Sequence, residues 1–197
     1  MDSATIPAGA DFSHKPVLSG ERVTLRPFDA RDASLIARII DDPEVRKYTG
    51  ASHLTFHQYD LEAVYAARAT QPDRLDLAIV DKATGELVGE VVLNEWDRHN
   101  RSCNFRTMIG PGGRDRGLGT EATRLIVDYG FEVIRLHRIH LFVYAFNPRA
   151  KRVYEKVGFT AEGVDRDALL YDGSWVDAIR MSLLDHEWTA SGAPTTV

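Results

Sequence analysis

Residues 102–120 read Ser102-Cys103-Asn104-Phe105-Arg106-Thr107-Met108-Ile109-Gly110-Pro111-Gly112-Gly113-Arg114-Asp115-Arg116-Gly117-Leu118-Gly119-Thr120. The first eight alternate, with Cys103, Phe105, Thr107 and Ile109 on one face and Ser102, Asn104, Arg106 and Met108 on the other, which predicts a strand. A glycine-rich loop follows. From Thr120 to His137, Ala122, Leu125, Ile126, Tyr129 and Val133 recur at helical spacing. Glycines let the backbone turn tightly and approach a ligand closely. The start of a helix presents unpaired N–H groups and the positive end of its dipole, which together favour a phosphate. Arg114 and Arg116 add charge for it. The glycine pattern is Arg114-x-x-Gly117-x-Gly119. No Lys-Ser/Thr follows it, so it is not a Walker loop, and its spacing is not the dinucleotide fingerprint. A glycine-rich turn that only caps a helix would look the same, so a second motif has to decide.

That motif is Asn147-Pro148-Arg149-Ala150-Lys151-Arg152-Val153-Tyr154-Glu155-Lys156-Val157-Gly158-Phe159. It has the marks of an ordinary helix: Asn147 as N-cap, Pro148 in the first turn and Gly158 at the stop. Ala150, Val153, Tyr154 and Val157 form its apolar stripe, so Tyr154 also reads as a core residue. Taken together, the two motifs resemble the GNAT family of acetyl-coenzyme A-dependent N-acetyltransferases. Arg114-x-x-Gly117-x-Gly119 is similar to its pyrophosphate loop, and Asn147-x-x-Ala150-x-x-x-Tyr154 to its second cofactor motif. Glu21-Arg22-Val23-Thr24-Leu25-Arg26-Pro27-Phe28, Asp42-Pro43-Glu44-Val45 and Tyr171-Asp172-Gly173-Ser174-Trp175-Val176-Asp177 resemble the RimJ/RimL-like branch. The resemblance covers residues 17–188.

The resemblance implies acetyl transfer from acetyl-coenzyme A (acetyl-CoA) directly to a primary amine, with no metal and no covalent enzyme intermediate. It gives Met108 and Ile109 the pantetheine arm. The N–H groups of Arg114, Asp115, Arg116, Gly117, Leu118, Gly119 and Thr120 take the pyrophosphate. Asn147, Ala150 and Arg152 also contact the cofactor. Tyr154 is the proton donor to the departing thiolate. With a thiol pKa of about 8.5 and a phenol pKa of about 10, that donation is only slightly uphill. The family's usual glutamates fall at Asn104 and Phe142 here, and neither side chain takes a proton. Glu95 is the nearest spare carboxylate for a base, with Asn94, Asn104 and Arg106 as polar helpers. A lysine-type amine costs roughly 4.6 kcal/mol to deprotonate at pH 7 and an α-amine only about 1.1 kcal/mol. An N-terminal α-amine of a peptide or protein is therefore the expected acceptor. The alternatives are a small amine, such as a polyamine or aminoglycoside, and an acyl-CoA-sensing module with weak catalysis. A homodimer is compatible with all three.

Composition agrees with an enzyme of this kind. The chain has 197 residues, 44% apolar and 27% charged, which suits one domain with a proper core. We expect tails at 1–15 and 190–197 and a single domain over 16–189. No apolar run spans a membrane and no signal peptide is evident, so the expected location is cytoplasmic. A net charge of −5 argues against nucleic acid as a partner, while Arg114, Arg116, Arg149, Lys151, Arg152 and Lys156 concentrate positive charge in the two motifs. The lone cysteine, Cys103, excludes an internal disulfide and reads as structural. His140 reads as a core or edge histidine, and His53, His57 and His99 lack metal-ligand spacing. Trp175 and Trp188 read as packing residues, and Asp172 and Asp177 could attract a cationic amine.

Further strands are expected at Val23–Arg26, Leu75–Val80, Leu87–Leu93, Ile139–Phe146, Val164–Tyr171 and Val176–Leu184, and further helices at Asp29–Asp41 and His57–Ala69. Strands and helices alternate without the rhythm of a doubly wound fold. The expectation is an α/β (α+β) protein with a mixed, mostly antiparallel central sheet flanked by helices, as in GNAT-like acyltransferases.

Overall fold

The computed structural model describes residues 11–51, 58–189 and a two-residue strand at 195–196. The elements in order are β1 (Leu18–Ser19), β2 (Val23–Pro27), α1 (Asp32–Ile40), α2 (Pro43–Tyr48), α3 (Gln58–Arg68), β3 (Leu75–Asp81), β4 (Leu87–Asp97), β5 (Ser102–Ile109), a 3₁₀ turn (Pro111–Gly113), α4 (Leu118–Glu132), β6 (Arg138–Tyr144), α5 (Pro148–Val157), β7 (Thr160–Tyr171), β8 (Ser174–Leu184) and β9 (Thr195–Thr196). The sheet runs β7-β8-β6-β5-β4-β3-β2-β1-β9. Every neighbouring pair is antiparallel except β5 and β6. A parallel pair needs a long crossover, and α4 supplies it.

Helices cover both faces. Ala122, Ile126 and Tyr129 of α4 and Tyr154 of α5 pack with Val91, Leu93, Phe105 and Ile139 of the sheet. On the other face, Ile36, Val45, Leu61 and Tyr65 from α1, α2 and α3 pack with Ala78 and Met108. The alternation in β5 thus sends one set of side chains to each core.

Several boundaries differ from the sequence expectation for identifiable reasons. α1 begins at Asp32, because the Asp32 carboxylate is held by Arg26 and accepts the Asp29 N–H at 2.8 Å. α4 stops at Glu132 instead of His137. Arg135 turns the chain with φ 61° while Ile134 and Leu136 stay buried, so the apolar pattern outlasts the helix. α2 is an unexpected six-residue helix, capped by Asp42, whose side chain accepts the Val45 N–H at 3.0 Å. Within the expected N-terminal tail, Phe12 is fully buried and stands edge-on to Trp96, with ring centroids 5.2 Å apart. The expected C-terminal tail contributes β9 beside β1. Residues 1–10, 52–57, 190–194 and 197, with His53 and His57 among them, lie outside the described residues. No helix among the described residues is long and apolar enough to cross a membrane.

Candidate active site

The site begins where the parallel pair comes apart. β5 and β6 are in register only at Ser102–Arg138, Cys103–Ile139 and Asn104–His140. Beyond Asn104, β5 continues to Ile109 with no partner on that side. Its register with β4 fixes which groups are left open. The Gly110 N–H bonds to the Val88 carbonyl at 2.8 Å, so in an antiparallel ladder Met108 and Arg106 also face β4. The Phe105 carbonyl and the N–H and C=O groups of Thr107 and Ile109 therefore turn into the split, the Phe105 N–H being taken by the last rung of the ladder with His140. Such an open strand edge fits an extended, amide-containing chain, which is what a pantetheine arm is.

A cavity of about 430 Å³ fills the split. Its walls include Phe105–Ile109, Phe142–Tyr144, loop residues Gly113, Arg114, Asp115, Gly117, Gly119 and Thr120, and α5 residues Asn147, Arg149, Ala150, Arg152, Val153, Tyr154 and Lys156. Of the expected site residues, Met108, Ile109, Arg114, Asp115, Gly117, Gly119, Thr120, Asn147, Ala150, Arg152 and Tyr154 come together here. Arg116, Leu118, Asn104 and Glu95 are not among the lining residues. Met108 reaches the cavity although its backbone is turned to Glu90.

The loop is built for close approach. Gly117 has φ 78° and precedes α4, a conformation that favours glycine, and a Cβ there would meet Arg22 Nη1 at 3.0 Å. A Cβ on Gly119 would meet Ile109 Cγ1 at 3.3 Å. The first-turn N–H groups of Leu118, Gly119 and Thr120 have no intrahelical acceptor.

The two loop arginines tie the loop to the rest of the fold. Arg114 bonds Asp42 at 2.5 Å and Glu44 at 2.7 Å, which docks α2 on the loop. Arg116 bonds Asp81 at 2.6 Å and the Gly112 carbonyl at 3.0 Å. Arg149 reaches Glu44 at 2.8 Å and Asp115 at 3.4 Å. Arg152 and Lys156, one helical turn apart, line the cavity and have no ion-pair partner among the described residues. Both are placed where the loop and α5 meet, with charge left to offer a phosphate.

Tyr154 lies on the inner face of α5, 7% exposed, with its ring edge-on to Phe105 at 6.0 Å between centroids. Burial pushes its phenol pKa up, so it holds its proton at neutral pH, as an acid must. Asn147 caps α5, with Oδ1 accepting the Ala150 N–H at 3.1 Å, which leaves its NH₂ as the end with hydrogens to donate.

Polar residues at the closed end of the split sit apart from the cavity. Asn104 is buried and donates to Asn94 Oδ1 at 2.9 Å. Glu95 is exposed, with φ 54°, at an irregularity of the β4–β5 ladder. Burial lowers the His140 pKa, with Arg138 adding to the shift. Cys103 is fully buried and burial raises its pKa, so it remains a thiol. Trp188 donates to Asp128 at 2.7 Å in the core, whereas Trp175 is 61% exposed.

Among the lining residues that the sequence reading did not single out is Glu90 of β4, which is 7% exposed and accepts a hydrogen bond from Tyr65 Oη at 2.5 Å. Its signal was a lone carboxylate in the apolar run Leu87-Val88-Gly89-Glu90-Val91-Val92-Leu93, where a charge is rare without a reason.

A cleft of this build belongs to an acyl-CoA-dependent transferase. More particularly, the chain belongs to the GNAT acetyltransferase family: residues 22–160 match the family model described as "Acetyltransferase (GNAT) domain". It is 29% identical over 180 residues to the spermidine N(1)-acetyltransferase of Escherichia coli K12, covering 87% of this chain and 91% of that one. It is 28% identical over 175 residues to the putative ribosomal N-acetyltransferase YdaF of Bacillus subtilis, covering 85% and 94%. A crystal structure of spermidine N-acetyltransferase from Vibrio cholerae in complex with CoA and spermine superposes with a TM-score of 0.78 at 25% identity, over 85% of this chain and 98% of that one. The protein is an acetyl-CoA-dependent N-acetyltransferase, and the mixed, mostly antiparallel sheet flanked by helices is the GNAT fold.

Proposed function

We propose that the acceptor is a small cationic primary amine of the polyamine class, acetylated directly from acetyl-CoA. The observation that carries the transferase chemistry is the separation of β5 from β6 after Asn104, which leaves an open strand edge beside a helix start and a buried phenol. In this reading the backbone edge of Phe105, Thr107 and Ile109 holds pantetheine, helped by the Asn147 amide. The N–H groups at the start of α4 take the pyrophosphate, and Arg152 and Lys156 meet the remaining phosphates. Tyr154 protonates the leaving thiolate.

Two observations favour a cationic acceptor over the N-terminal α-amine expected from the pKa argument. The first is the likeness to spermidine acetyltransferases. The second is the aromatic rim near the cleft: Lys47 Nζ lies 5.2 Å from the Phe146 ring centroid and 5.5 Å from that of Tyr171, so the rim already accommodates an ammonium. The N-terminal reading, with its RimJ/RimL-like affiliation, keeps the support of the likeness to YdaF. Release of CoA thiol with a panel of spermidine, spermine, an aminoglycoside and N-terminal peptides tests the choice. Polyamines are expected to have the highest kcat/KM, and a clear preference for the peptides overturns it.

A further inference from the structure

We propose that Glu90 is the base of the acetyl transfer, the group that takes the proton from the attacking amine. The inference rests on the functional reading above and adds the part that reading lacks, because Asn104 and Phe142 cannot take a proton and Glu95 does not line the cavity.

Three geometric facts carry it. Glu90 lines the same cavity as Tyr154. It pairs across the ladder with Met108, so its side chain shares that residue's face of the sheet, covered by α1–α3. Tyr154 packs on Phe105, whose side chain belongs to the α4–α5 face. Base and acid thus approach the split from opposite faces of the sheet, which gives the proton leaving nitrogen and the one delivered to sulfur separate partners.

The surroundings of Glu90 suit the task. Burial pushes its pKa above the ordinary carboxylate value, the Tyr65 hydrogen bond opposes that rise, nearby Asp76 adds to it, and Arg106 and Arg68 oppose it. Asp76 is itself paired with Arg74 at 2.6 Å and with Arg68 at 3.4 Å, which moderates its influence. A carboxylate raised toward neutrality is a better base than an ordinary one. Tyr65 donates to Glu90 and touches no reacting atom, so it is a positioning residue.

The step balances. The amine binds as its ammonium ion and gives its extra proton to the Glu90 carboxylate, which passes it to solvent. Its lone pair forms the C–N bond to the thioester carbonyl carbon while one N–H proton passes to the Glu90 carboxylate. The C–S bond breaks with its electron pair on sulfur, and Tyr154 gives the thiolate a proton. Solvent then carries the proton of Glu90 to the Tyr154 phenolate, restoring both groups.

The test compares wild type, Glu90→Gln, Tyr65→Phe and Glu95→Gln in pH profiles of kcat and kcat/KM, using acceptors of different pKa, with acetyl-CoA affinity measured alongside. In wild type we expect a rising limb at a pH that does not depend on the acceptor. Glu90→Gln abolishes that limb and lowers kcat by about 10²–10⁴, with acetyl-CoA affinity unchanged. Losing the Tyr65 hydrogen bond removes stabilisation of the carboxylate form, so in Tyr65→Phe the limb moves to higher pH. That shift still tests the idea if the Gln variant does not fold. A limb that follows the pKa of each acceptor, a limb lost in Glu95→Gln, or wild-type kcat in folded Glu90→Gln overturns the assignment. A wild-type enzyme that turns over no amine at all overturns the functional reading instead.

Discussion

A single hydroxyl separates the two readings of Tyr154. Its position on the apolar stripe of α5 is what a core tyrosine would occupy, and the ring does pack on Phe105 and Phe159. What marks it as more is that it also forms a wall of the cleft. Tyr154→Phe keeps the ring contacts and removes only the proton. Turnover is expected to fall by about 10²–10⁴, with acetyl-CoA affinity within a few-fold of wild type. Full turnover in the folded variant, with chemistry rate-limiting, would return Tyr154 to the core. Legibility at this scale depended on sequence distance. Asn147 as N-cap and Gly117 before a helix are local signals and were readable. That Arg114 pairs with Asp42 and Arg116 with Asp81 was not, because the partners lie 72 and 35 residues away in the chain.

Elements were readable where their period had room to repeat. β5 was expected at Ser102–Ile109 and occupies those residues, because eight alternating positions leave little ambiguity. α2, with six residues, and β1, with two, are too short to show a period and were missed. The consequence reaches the site, since α2 is the element that anchors the glycine-rich loop, the proposed phosphate site, through Arg114. Two kinds of cation in the motifs should therefore respond differently to removal. Arg114→Ala strands Asp42 and leaves Glu44 with Arg149 alone, and is expected to destabilise the fold by roughly 1–3 kcal/mol, read as a lower midpoint in urea. Arg152→Ala or Lys156→Ala leaves stability within about 0.5 kcal/mol but weakens acetyl-CoA binding about tenfold, roughly 1.4 kcal/mol each. That weakening should shrink as salt is added. A stability loss for Arg152→Ala with unchanged affinity would reverse the assignment of the two groups.

At the scale of the whole molecule, the sheet is two parts joined by a short parallel ladder. The ladder between β5 and β6 has only three register pairs, while β4 runs beside β5 along its length and β8 beside β6. Acetyl-CoA seated in the split as proposed would bridge the two parts, with its arm on β5 and its phosphates against α4 and α5. Binding should then stabilise the entire fold, because a ligand bound only by the native state adds free energy by mass action. At about 100 times its Kd, acetyl-CoA should contribute about 2.7 kcal/mol. For a chain of this size that corresponds to roughly 5–11 °C in Tm, taking about 2–4 °C per kcal/mol. A short acetyl thioester without the nucleotide should give no such shift at the same concentration, because it lacks the phosphates that reach the helices. Hydrogen exchange locates the effect: the amides of Thr107 and Ile109, which face the split, should gain protection with acetyl-CoA, while those of Arg106 and Met108, already bonded toward β4, should change little. Unchanged Tm and unchanged exchange at saturating acetyl-CoA would mean that the thioester does not bind in the split, and the open edge of β5 would then need another explanation.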